Sequence, residues 1–288
     1  MGGAVKWLGT YGIQFFDRPI IGGIIFLLPV MGLFATTACV LRRRTKSHWL
    51  WVPLAAWLAV AQLLSLYDFN FYWWGALALC LAMGVLWFWS LLKPSLARNI
   101  LFAFSIPFIA WLLGAVVLVY VLAGICLFVD KKSWKLAWLV PVTLYIVSVA
   151  FFYVGNRCPS LMVAVSPMMY FEPLLDISYY HLVTWVMTVL VWGGCRWLPM
   201  AQKKVWVWCI CIVSWILPAG VLLQYGGTFR NQSNIDLWRL NHYAYTENWD
   251  GILQFLAGKP MSNYLYMNYA NMALAQQGKL GDWAFSYS

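Results

Sequence analysis

Seven stretches of this chain contain no Asp, Glu, Lys or Arg: residues 20–41, 49–66, 71–92, 99–129, 136–155, 177–195 and 205–225. A helix crossing the ~30 Å hydrocarbon core of a bilayer takes roughly 18–20 apolar residues, since each residue advances about 1.5 Å. Most of these stretches reach that length. Inside hydrocarbon a backbone must satisfy its own N–H and C=O groups, which helices do within one segment. The pattern therefore predicts an all-α, polytopic membrane protein rather than a soluble domain.

The stretch from Asn99 to Val129 fits no single span. At 31 residues it measures ~46 Å as one helix, too long for one crossing and short for two. One tilted helix would place Lys131, Lys132 and Lys135 on the side opposite Arg42, Arg43, Arg44 and Lys46. A hairpin turning near Leu113-Gly114-Ala115 keeps both clusters on one side, together with Lys93 and Arg98 and with Arg196, Lys203 and Lys204. Cytoplasmic loops concentrate Lys and Arg, so the hairpin is preferred. The expected topology has about eight transmembrane helices, with both termini outside. Residues 67–70 and 156–176 form external loops.

Three regions follow. Residues 1–18 read as an interfacial helix, with Val5, Leu8 and Phe15 apolar and Trp7 and Tyr11 suited to the headgroup zone. Residues 19–228 form the transmembrane domain. Residues 229–288 form a tail in which basic and acidic residues balance. There Asn234 can cap a helix, Asn248-Trp249-Asp250 turns into a second, Gly258-Lys259-Pro260 stops it, and Ser262 can cap a third that ends at Gly278. Trp249 and Leu280 mark two similar turns 31 residues apart, near the ~34-residue period of tetratricopeptide repeats. The tail is expected to be a short helical hairpin of that type.

Composition sharpens the partners. Hydrophobic residues are 63% and charged residues 10%, against about a quarter charged in globular domains. The net charge of +10 resides in the four loop clusters, so it signals topology and argues against nucleic acid. The expected partners are the lipid bilayer and a protein bound through the C-terminal helical tail. The seven cysteines include no CxxC pair and offer no zinc spacing. No metal and no cofactor is expected. No basic-then-apolar signal peptide opens the chain.

Gly2-Gly3, the segment WLGTYGIQFFDRPIIGG and the tail NYANMALAQQGKLGDWAF resemble an uncharacterised polytopic family of Bacteroidota envelope proteins. The resemblance implies a membrane half followed by an extracytoplasmic tetratricopeptide-like half, hence a multi-pass inner-membrane protein with a periplasmic tail. It implies a further span before Gly2-Gly3 and a longer tail. It implies no catalytic residues. A repeat that stops after 263–277 would expose Tyr264, Leu265, Met267, Tyr269, Met272 and Leu274, so the chain is expected to be part of a longer protein.

External carboxylates are the available catalytic candidates: Asp17, Asp68, Glu172 and Asp176. Polytopic glycosyltransferases acting on lipid-linked sugars use such groups as bases or metal ligands. Helix caps and solvated turns are the plainer reading, with Asp17-Arg18 a local ion pair and His181 an interfacial side chain. The spans lack ionisable groups, which disfavours an ion-coupled carrier. The preferred function is therefore an anchor for a helical module that binds a protein or an envelope polymer. The alternative is a glycosyltransferase-like enzyme.

Overall fold

The structure, a computed structural model, describes residues 1–44, 48–66, 68, 70–128, 138–171, 180–195, 212, 216, 232–259 and 264–283. The chain divides into two compact units, Met1–Gly226 and Gly227–Ser288.

The described elements of the first unit are α1 (Gly3–Ile13), α2 (Pro19–Arg44), α3 (His48–Leu66), α4 (Trp73–Leu91), α5 (Leu96–Leu113), α6 (Val117–Phe128), α7 (Leu139–Val154), α8 (Leu161–Val165), a 3-10 turn at Pro167–Tyr170, and α9 (Tyr180–Gly194). By length and composition, three helices can cross a membrane among the described residues: Pro19–Arg43, Trp73–Leu91 and Leu96–Leu113. Four more apolar helices are shorter over the residues whose side chains are described: Trp51–Leu66, Val117–Phe128, Leu139–Val154 and His181–Gly194, although α3 as a whole runs 19 residues from His48 to Leu66. Of the about eight spans expected, the described residues thus show three helices of full crossing length and four further apolar helices. The expected last span, 205–225, lies almost wholly outside the described residues.

α4 and α6 form the centre. α4 packs against α1, α2, α3, α5 and α6, while α6 packs against α4, α5, α7 and α9. Ala76, Ala78, Ala82, Met83 and Leu86 of α4 and Val117, Tyr120 and Ala123 of α6 are fully buried. Apolar lipid supplies no hydrophobic drive between helices, so close packing must hold them. Small residues allow it. A methyl group on Gly124 would collide with the Phe102 ring, and one on Gly9 with Trp74.

The long run does fold back. Ser105 and Tyr120 hydroxyls lie 2.6 Å apart, and the Phe102 and Phe128 rings are 5.3 Å apart. A continuous helix would separate residues 105 and 120 by ~22 Å. The turn is Gly114, with φ +93°, a region that L side chains rarely adopt. At the far end of the hairpin Arg98 sits over the Phe128 ring, 4.6 Å from its centroid. Arg98 is buried in the first turn of α5, which corrects its assignment to a loop cluster. Ser95 caps that helix by accepting the Arg98 N–H at 3.2 Å.

α1 also departs from expectation. It buries Val5, Gly9 and Gly12 and packs on α4 and α5. Leu8 faces outward with Trp7 and Tyr11. The glycines, not the large apolar residues, let it approach.

The second unit contains α10 (Gln232–Tyr245), α11 (Trp249–Leu256), α12 (Tyr264–Gln276) and α13 (Leu280–Trp283). α11 packs on both α10 and α12, around Leu240, Ile252, Leu256, Tyr266, Ala270 and Ala273. Asn248 caps α11 by accepting the Gly251 N–H at 2.9 Å. Gly258 and Gly278, with φ +78° and +71°, end helices as expected. Asn234 lies inside α10 rather than at its start. Ser262 is outside the described residues. Leu274 is buried, and Met267 and Tyr269 are half-buried, so the exposed apolar face of α12 shrinks to Tyr264, Leu265 and Met272.

Phe102 is held between Tyr120 and Phe128 and cannot yield cheaply. Gly124→Ala is therefore expected to destabilise the protein by ~1–3 kcal/mol through overpacking. Gly84→Ala, where nothing lies within 4 Å, should leave the thermal midpoint of the detergent-solubilised protein unchanged. Equal midpoints for both variants would contradict the packing described.

Candidate functional site

Two loops converge at one end of the first unit. The turn before α4 pairs with the loop after α7, through an antiparallel bridge between Phe71 and Phe171. Tyr72 N–H donates to the Tyr170 carbonyl at 2.8 Å. Tyr170 enters the hairpin turn: its hydroxyl donates to the Leu113 carbonyl at 2.8 Å and accepts the Val116 N–H at 3.0 Å. The Met169 sulfur accepts the Ala115 N–H at 3.3 Å. Gly2 N–H donates to the Trp111 carbonyl at 2.9 Å, so the start of α1 joins the same end. Burial pushes the Tyr170 phenol well above its ordinary range, so it remains a neutral donor.

Asp68 and His181 meet here. Asp68 Oδ1 accepts the Asn70 N–H at 3.0 Å, and Oδ2 lies 3.3 Å from His181 Nε2. The imidazole is stacked on Phe71 with centroids 3.9 Å apart and meets the Phe171 ring edge-on at 4.6 Å. A carboxylate accepts, which assigns the proton to Nε2. Nδ1 is buried with no partner among the described residues.

A polar seam continues below the pair. His181, Thr184, Thr188 and Trp192 share one stripe of α9 and are all buried. Thr184 and Ser65 hydroxyls are 2.9 Å apart. Trp192 Nε1–H donates to the Thr37 hydroxyl at 3.1 Å. The seam therefore ties α9 to α3 and α2.

Of the four carboxylates expected to matter, Asp68 alone is brought to a partner among the described residues. Asp17 is exposed and makes no ion pair there, so the expected Asp17–Arg18 bridge does not form. Glu172 and Asp176 lie outside the described residues. His181 is buried rather than interfacial. The sequence does hold a signal for it: Asp68 and His181 sit at run ends assigned to the same side, but 113 residues separate them.

A family profile matches the chain over residues 1–288. The chain belongs to DUF6057, a family of unknown function. No curated protein and no solved structure matches it. The resemblance to an uncharacterised family stands at that level.

Chemically, an imidazole bonded to a carboxylate can act as a base. Here Phe71 and Phe171 close the ring off, so in this arrangement it pins α9 to the loops. Among the described residues no group of three His, Cys, Asp or Glu could hold a metal. His181→Ala is expected to cost ~1–3 kcal/mol, because it strips a partner from a largely buried carboxylate. Asp17→Ala should stay within ~0.5 kcal/mol of the native protein. Denaturation of the purified protein in detergent measures both, and a harmless His181→Ala would refute the pin.

Proposed function

We propose that this is a multi-pass inner-membrane protein that presents a periplasmic helical module for binding a protein or an envelope polymer. The observation that carries the reading is the second unit. It has a core of its own, yet keeps Trp238, Tyr245, Tyr264 and Trp283 more than half exposed. Large aromatic side chains give much contact area for little lost conformational freedom and are enriched in recognition surfaces. Trp238 and Tyr245 are seven residues apart on α10 and so share a face.

The tetratricopeptide-like reading belongs here as well. α10 and α11 form one helical pair, and α12 with the short α13 begins a second at a similar register. Repeat modules of this kind bind through faces built from successive helices. The eight-span topology is supported by the basic clusters at Arg42, Lys131 and Arg196, by Lys93, by the α5–α6 hairpin and by the further apolar helices.

A photoreactive amino acid placed at Tyr245 or Tyr264 of the full chain should crosslink to one discrete partner in cells, while the same probe at Tyr153 should not give that product. If the tail positions stay silent and Asp17→Ala abolishes the cellular phenotype, the glycosyltransferase-like alternative replaces this reading. Sidedness has its own test. Single cysteines at Ser133 and Ser262 should label from opposite faces, and labelling from one face would overturn the topology.

A further inference from the structure

A groove of about 640 Å³ runs between α5 and α7, within the ~300–1,000 Å³ of small-molecule sites. Ser148 and Phe152 form its buried floor, and Phe108, Trp111, Val147 and Phe151 form its rim. All four rim residues are more than half exposed on the outside of the bundle, so the groove opens sideways. In a membrane bundle that direction leads into the bilayer.

Its polar lining is sparse. Ser148 already donates its hydroxyl to the Leu144 carbonyl at 2.6 Å. Arg157 stands at the mouth, exposed and with no ion pair among the described residues. The backbone places it there. Asn156 adopts φ +52°, and Arg157 N–H donates to the Phe152 carbonyl at 2.9 Å. This turn folds the chain back over the end of α7. The Arg157 stem then lies over Gly155, its Cγ 3.8 Å from where a Gly155 side chain would begin.

We infer that this groove holds an anionic phospholipid of the surrounding bilayer, with its phosphate on Arg157 and one acyl chain along α7. The dimensions fit. From Gly155 to Leu144 the groove follows α7 for ~16 Å, close to the ~15 Å depth of one leaflet's hydrocarbon. The Arg157 guanidinium at the headgroup level, with Met1 also in the lining, complements a phosphodiester anion. Arg suits the role because its planar fork matches phosphate oxygens and its stem packs on apolar surface. A long polyisoprenyl chain would overrun one leaflet, and a zwitterionic head would cancel the attraction.

The full-length protein, delipidated in detergent, can be titrated with phosphatidylglycerol, phosphatidylcholine of the same chains, a polyisoprenyl phosphate and inorganic phosphate, with bound species counted by native mass spectrometry. Phosphatidylglycerol should be retained over phosphatidylcholine. Arg157→Gln should weaken that retention about fivefold, the worth of one basic residue at an anionic lipid surface. Val147→Trp, on the exposed rim, should block uptake of the acyl chain while leaving the melting midpoint unchanged. The inference is overturned if the two phospholipids bind alike, or if Arg157→Gln binds as the native protein does. Displacement by the polyisoprenyl phosphate or by inorganic phosphate would overturn it equally, by naming a different occupant.

Discussion

The turn between α5 and α6 leaves the Leu113 carbonyl and the Val116 N–H without helical partners, inside a bundle that admits little water. Tyr170 takes both. An unpaired buried backbone group costs on the order of 1–3 kcal/mol, so the hairpin depends on a side chain 54 residues or more away in sequence. That one hydroxyl recruits the loop after α7 to the hairpin. The loop then carries Phe171 to Phe71 and to the His181 ring. Satisfying one turn thereby orders an entire end of the molecule.

Helix existence was legible in the chain because charge-free runs in a membrane protein have few alternatives. The turn at Gly114 was legible too, since a 31-residue run is too long for one crossing and basic residues flank it. What escaped was the choice of faces. α1 packs through Gly9 and Gly12, and no hydrophobicity pattern announces a surface made by missing side chains. Arg98 looked like a loop charge, yet its stem and guanidinium find the Phe128 ring. Asn234 looked like a cap, but α10 already begins at Gln232.

The Asp68–His181 pair shows the same limit from the chemical side. Each residue could be placed at the outer end of its run, but their meeting depends on the rotation of α9 against α3. That rotation is set by Thr184 on Ser65 and by Trp192 on Thr37. Such hydroxyl contacts are worth about 0.6–2 kcal/mol each in a membrane, and individually they carry no recognisable motif. The tail was more transparent, because Gly258, Gly278 and Asn248 use the turn chemistry of soluble helices.

The seam on α9 has a consequence for biogenesis. α9 follows α2 and α3 in the chain, so its two buried threonines and its histidine arrive after Thr37, Ser65 and Asp68, the residues that the seam and the pair join them to. Taken alone, those polar groups weigh against lateral release of α9 into lipid. α9 must therefore stay sheltered at the insertion machinery, or against a surface that α2 and α3 have already assembled.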